Sequence, residues 1–134
     1  MLSKEAQDLL IRARAIIAQR YGWSRSNWIT RRGPNKVACC ASGAILLASD
    51  ENSRGREDRC RFNTDPVAGE ALKALAEAIP EDQIIVGLLT PINSSFPVPA
   101  RLRAEAKVIE FNDSSNDKRR VLRAFDRAIG KGER

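Results

Sequence analysis

Lys36-Val37-Ala38-Cys39-Cys40-Ala41-Ser42-Gly43-Ala44-Ile45-Leu46-Leu47-Ala48 is the least polar run in the chain and carries no charge after Lys36. It reads as a short strand turning directly into a helix from about Cys39 to Ser49. The apolar side chains surround that helix instead of forming a stripe, which places it in the core. Gly43 in its middle costs about 1 kcal/mol relative to alanine. Such a cost points to close approach of another helix, or of a ligand.

On the N-terminal side, Gly33-Pro34-Asn35 is turn chemistry and Trp28-Ile29-Thr30 favours strand. Residues 28–38 therefore predict a small hairpin, which must pack on helices because a lone hairpin is marginal in water. Trp23 and Trp28 flank the polar Ser24-Arg25-Ser26-Asn27. Each ring serves either as core cover or as a stacking platform for a flat ligand. Residues 3–20 predict an amphipathic helix: Ser3 is its N-cap, and Ala6, Leu9, Leu10, Ala13, Ile16 and Ile17 form one apolar stripe. Gly22 follows its end.

On the C-terminal side, residues 50–66 mix charges without apolar periodicity and read as a surface loop. Asp65-Pro66 then opens a helix as N-cap and first residue, with Val67, Ala68, Ala71, Leu72, Leu75, Ala76 and Ile79 on its apolar face. Residues 81–89 suit strand or helix and are read as a short helix. Residues 90–99 hold three prolines and read as a loop. Ala100 to Glu110 has helical composition. Phe111-Asn112-Asp113-Ser114-Ser115-Asn116 reads as a break, with residues that bond their own backbone. Asn116 or Asp117 caps a last helix striped by Val121, Leu122, Phe125, Ala128 and Ile129, and residues 130–134 read as a frayed tail. The expectation is one domain, 1–134: a mainly α, compact bundle of about five helices with one small β-hairpin.

A 134-residue chain needs neither disulfide nor metal to fold. Three cysteines, two of them adjacent, do not suit a secreted disulfide framework, and the N-terminus has no signal-peptide pattern. No apolar run approaches the roughly 20 residues of a membrane span. The expectation is a cytoplasmic protein without a membrane partner. The net charge of +6 is unevenly placed: eight basic against two acidic residues over 1–49, and seven against three over 117–134, with a mildly acidic middle. Ends that met in space would attract phosphate-bearing partners.

With no histidine in the chain, histidine triads and the common His-containing zinc sites are excluded. Three cysteines fall short of a four-thiolate metal site, so neither metal nor cofactor is expected. Cys40, near a helix start, has the position of an activated thiol, but reads better as a small core residue. The same helix start offers free amides to an anion, with Arg31, Arg32 and Lys36 nearby. Asn112 and Asp113 read either as turn and cap residues or as polar ligand contacts.

The order of features is similar to that of a family of small uncharacterised proteins found in actinobacteria and in phages. The resemblance rests on Val37-x-x-Cys40-x-x-Gly43-Ala44, on Phe111-Asn112-Asp113, and on a last helix with Val121-Leu122 and Arg127-Ala128-Ile129. The family pattern has a Cys-x-x-Gly-Ala helix start and a Trp-Asn-Asp motif before the terminal helix; here Phe111 stands in the tryptophan's place. The resemblance covers both ends and not residues 50–110. It implies no activity, but it groups Cys40, Gly43, Asn112 and Asp113 in one constellation.

The leading reading is a non-enzymatic binding protein for an anionic ligand, a nucleotide or nucleotide-derived signal among the candidates. Trp28 would stack, Arg31, Arg32 and Arg120 would meet phosphate, and Asp113 would accept hydrogen bonds, beside Cys40, Gly43 and Asn112. The phage occurrence adds a host-protein or counter-defence role. The alternative is a basic protein–protein or nucleic-acid interaction module, and the third reading is a thiol- or carboxylate-based enzyme. A homo-oligomer is compatible with each.

Overall fold

The structure is a computed structural model and describes residues 2–25, 29–33, 36–49, 61–80 and 100–130. It is mainly helical with one small antiparallel hairpin. Its elements are α1 (Lys4–Ala18), β1 (Ile29–Gly33), β2 (Lys36–Cys39), α2 (Ala41–Ser49), α3 (Arg61–Thr64), α4 (Pro66–Ala78), α5 (Ala100–Ser114) and α6 (Lys118–Gly130). Five of these helices have nine residues or more; α3 is a single turn.

α1 and α4 are the hubs. α1 packs on α2, α4 and α6, and α4 packs on α2, α5 and α6 as well. The predicted α1 stripe is buried at Ala6, Leu9, Leu10, Ala13 and Ile17. Seven of the nine α2 residues are buried, as expected of a helix apolar all round. Phe111 and Phe125 are the bulkiest fully buried side chains and join α5 and α6 to one core.

The capping chemistry is local. Ser3 Oγ accepts the Ala6 amide at 3.2 Å. Ser3 is itself held from α4, because its N–H and hydroxyl both donate to the Glu70 carboxylate at 2.6 and 2.9 Å. That places a negative charge at the N-terminus of α1, where the helix dipole favours it. Asp65 caps α4 through the Val67 and Ala68 amides, with Pro66 in the first turn. Asp117, not Asn116, caps α6: its Oδ1 accepts the Arg119 amide at 2.9 Å.

The helix C-termini share a second device. Each of the five longer helices ends on a carbonyl held by a side chain from another element. Lys118 donates to Gln19 O after α1 at 2.9 Å. Arg12 donates to Ala48 O of α2 at 3.2 Å, and Arg127 to Ala78 O of α4 at 3.1 Å. Arg25 donates twice to Asp113 O of α5, at 3.1 and 2.8 Å. Gln7 donates to Ile129 O of α6 at 3.0 Å. Four of the five donors are cations at the negative end of a helix dipole.

The hairpin pairs Ile29 with Cys39, Thr30 with Ala38, Arg31 with Val37 and Gly33 with Lys36, with a bulge between Arg31 and Gly33. The other edge of β2 is bridged by the chain after α1: Cys39 N donates to Gly22 O at 2.8 Å, and Ser24 N to Cys39 O at 3.0 Å. Gly22 is glycine because a Cβ there would overlap the Ile16 carbonyl oxygen.

Two expectations change. α5 runs through Phe111, Asn112 and Asp113 to Ser114, so the stretch read as a break is the last turn of a helix. The Asn112 side chain is engaged elsewhere, and the Ser114 and Ser115 hydroxyls donate to Phe111 O at 3.3 and 2.6 Å at the very end of the helix. Residues 61–64, read as loop, form α3, anchored by the buried Phe62. The expectations for residues 50–60, 81–99 and 131–134 lie outside the described residues. No helix among the described residues is long and apolar enough to cross a membrane.

Candidate functional site

The centre of the arrangement is Asn112, fully buried near the end of α5. Its Oδ1 accepts the indole N–H of Trp23 at 2.9 Å and the main-chain N–H of Ala41 at 3.0 Å. Its Nδ2 donates to Ser24 O at 3.0 Å and to Asp113 Oδ1 at 3.1 Å. A side-chain amide has two acceptor sites and two donors, and all four are used. One side chain thus ties α5 to the bridge segment and to the start of α2.

The start of α2 is closed by the chain's own groups. Cys40 is the N-cap: its carbonyl accepts Ala44 N at 2.9 Å and its thiol accepts Gly43 N at 3.4 Å. The helix dipole that attracts an anion to a free N-terminus meets the Asn112 oxygen at Ala41 instead. Cys40 and Gly43 are buried. Cys39, fully buried beside Cys40, has its thiol pKa pushed up to about 12 by burial first and by its neighbour second. Protonated at neutral pH, it is a poor nucleophile. Ser42 Oγ, in the first turn of α2, is fully buried without a hydrogen-bond partner.

The structure therefore brings Cys40, Gly43, Asn112 and Asp113 around one joint. Trp23, one of the two tryptophans singled out, joins them through its indole. Arg120 lies next to this group: its guanidinium sits 5.1 Å from the centroid of the Phe111 ring, a cation–π contact. Trp28 and the side chains of Arg31 and Arg32 lie outside the described residues.

Beside the joint, the surface holds a groove of about 290 Å³ lined by Arg20, Tyr21, Trp23, Asn116, Asp117 and Lys118. It runs between the turn after α1 and the α5–α6 connection. Tyr21 is 54% exposed, and the Arg20 guanidinium lies 5.2 Å from its ring centroid. Trp23 is half-buried, with its indole N–H fixed from behind by Asn112. Asp117 has its pKa lowered, first by the side-chain hydrogen bond from Arg119 and then by that residue's amide; the Arg119 pKa is raised by the same pair.

The sequence reading placed the anion contacts at Arg31 and Arg32 of the hairpin and at Arg120, and did not single out Arg20, Tyr21, Asn116 and Lys118 of this groove. About 95 residues separate the two sides of this groove, and no local spacing announces such a meeting. The available signal was the cation–aromatic pair Arg20-Tyr21 directly before Trp23.

These features define a small helical protein with a hydrogen-bonded joint and an adjoining aromatic, basic groove. The pattern of DUF6197, a family of unknown function, matches residues 1–131, and the chain belongs to that family. No curated protein and no solved structure matches it.

Proposed function

We propose that the protein is a non-enzymatic binding protein for an anionic, ring-bearing ligand, a nucleotide or nucleotide-derived signal, held in the Trp23 groove. The observation that carries this reading is the pairing, in one groove, of two accessible aromatic rings with Arg20 and Lys118. Aromatic faces stack flat rings, and cations meet phosphate. The Asn112 bond holds the indole in place before a ligand arrives, which lowers the ordering cost of binding. A volume of about 290 Å³ is at the lower end for small-molecule sites and suits one mononucleotide better than a longer chain. The buried Cys40 thiol and the high Cys39 pKa support binding over thiol catalysis. The phage occurrence implied by the resemblance of the Cys40-x-x-Gly43-Ala44 and Asn112-Asp113 patterns would make interference with a host nucleotide signal a setting for such binding.

The test is an intrinsic-fluorescence titration of a Trp28→Phe variant with purine and pyrimidine mononucleotides, paired with thermal-shift measurements. Saturable quenching of Trp23 that is lost in Arg20→Ala and Lys118→Ala is expected. Flat titrations with all of these nucleotides, and no thermal stabilisation, would overturn the reading.

The reading as a basic nucleic-acid module has less support. Arg12, Arg25 and Arg127 hold helix ends, and Arg14 and Arg119 are paired with Asp126 and Asp117.

A further inference from the structure

Two stretches frame the Trp23 groove, and they run in opposite directions. Lys118 donates to Gln19 O at 2.9 Å, the Trp23 indole to Asn112 Oδ1 at 2.9 Å, and Arg25 to Asp113 O at 3.1 and 2.8 Å. Residues 19–25 and 112–118 therefore lie antiparallel, and the groove between them has two unlike ends. At one end Lys118 reaches the carbonyl directly before Arg20, which brings both cations to that end. At the other stands the Trp23 ring. Asp117 also lines the groove, next to Lys118 and on the way from the cations to Trp23.

A carboxylate finds no favourable partner in a phosphate, so its place in this groove calls for a hydrogen-bond donor on the ligand. Asp117 is held in position from α6. Its Oδ1 accepts the Arg119 amide at 2.9 Å, and its Oδ2 accepts the Arg119 guanidinium at 2.9 and 2.8 Å. An ionised carboxylate only accepts, and its two oxygens offer about four positions. Oδ1 thus keeps one position open, and the side chain is 49% exposed. Arg119 offsets the charge of Asp117, which moderates its repulsion of a phosphate on Arg20 and Lys118.

In a nucleotide the sugar joins the phosphate to the base. A phosphate at the cation end and a base on Trp23 put the sugar beside Asp117. We propose that the open Asp117 oxygen accepts a hydrogen bond from the cis hydroxyls of a ribose, so that the groove selects ribonucleotides over nucleotides whose sugar lacks these hydroxyls. A hydroxyl on an ionised oxygen makes a charge-assisted bond. The same oxygen left without a donor only repels the phosphate. This inference rests on the nucleotide reading of the groove and names the sugar of its ligand.

Titration calorimetry on the full chain tests it. Whichever of adenosine, guanosine, cytidine and uridine monophosphates binds tightest is compared with its dideoxy counterpart. The ribonucleotide should bind at least about tenfold tighter. Asp117→Ser keeps a capping side chain for α6 but is too short to reach the sugar. In this variant the two affinities should come within about twofold of each other, because the ribonucleotide binds more weakly and the dideoxy nucleotide does not. A dideoxy nucleotide that binds the wild type as tightly as the ribonucleotide overturns the inference and leaves the nucleotide reading standing. So does equal weakening of both ligands in Asp117→Ser, the mark of a structural role, or a preference that the variant retains. Binding of none of the four monophosphates overturns the inference together with the reading it rests on.

Discussion

The indole N–H of Trp23 donates to Asn112 Oδ1 at 2.9 Å, across 89 residues of sequence. The same oxygen accepts the first amide of α2, so the wall of the groove and the start of the core helix share one acceptor. The position of Trp23 is therefore coupled to the packing of α2 against α5. The Cys40-x-x-Gly43-Ala44 pattern and the Asn112-Asp113 pair are far apart in sequence, yet they are two halves of this joint.

Replacing Asn112 by alanine removes four hydrogen bonds and leaves the buried Ala41 amide without its acceptor. Unfolding in urea should show a loss of about 3–4 kcal/mol. Asn112→Asp is the sharper variant, because it keeps the acceptor for Trp23 and Ala41. It places an oxygen against Ser24 O and the Asp113 carboxylate, and should still lose about 2–3 kcal/mol. A loss below about 0.5 kcal/mol in Asn112→Asp would mean that the donor side of the amide contributes nothing.

The cations that close helix ends should contribute to stability whatever else they meet. Arg127→Met and Lys118→Met keep most of the aliphatic stem and remove the donor to Ala78 O or Gln19 O. Each should lower stability by about 0.5–1 kcal/mol. The double variant should be additive, because the two donors serve different helices. Denaturant midpoints that do not move would show these contacts to be surface ornaments of no energetic weight.

How legible the molecule was in its sequence depends on the range of the interaction concerned. Ser3, Asp65-Pro66 and the α1 stripe act within one or two turns, and the caps and apolar faces read from them are present. The hairpin was legible for the same reason, since turn and strand residues are adjacent. The end of α5 was not. Asn112, Asp113 and Ser114 weaken a helix through bonds to their own backbone, but here Asn112 spends its amide on Trp23, Ser24 and Ala41. For Asn112, tertiary partners removed the competition; the Ser114 and Ser115 hydroxyls still bond Phe111 O, but only in the last turn, where they do not stop the helix short of Ser114. The basic surplus is silent in the same way: composition records the charges of Arg12, Arg25 and Arg127 and cannot show that each faces a helix C-terminus.

Gly22 is a close-approach position, and its neighbours cannot yield cheaply because the Ile16 carbonyl belongs to the α1 backbone. Gly22→Ala should cost about 3 kcal/mol. It should also loosen the Gly22–Cys39 bridge, seen as faster hydrogen exchange at the Cys39 amide. Wild-type exchange at that amide would separate the bridge from the packing of Gly22.

Ser42 gives a prediction of opposite sign. Its hydroxyl is fully buried and unpaired, a loss of solvation that nothing offsets. Alanine also has the better helix propensity. Ser42→Ala should therefore stabilise the protein by about 1 kcal/mol, read as a higher urea midpoint at unchanged slope. Destabilisation on this substitution would require a partner for the hydroxyl in solution.

Cys39 sets the alkaline behaviour. Its folded pKa lies at about 12 against an ordinary value of 9.0. The folded state keeps the proton longer than the unfolded chain does. Below pH 9 the thiol is protonated in both states, and this contribution to stability is fully present. As pH rises from 9 towards 12 the unfolded chain ionises and the folded one does not. Stability then falls by at most about 1.4 kcal/mol per pH unit for this one proton. Cys39→Ala removes the group, so the difference between wild type and variant should narrow or reverse across that window while staying constant between pH 6 and 8. The burial responsible should also keep Cys39 from reacting with iodoacetamide at pH 8 until the protein is unfolded. Rapid alkylation of Cys39 in the native protein, or parallel stability curves above pH 9, would show that the thiol ionises in the folded protein.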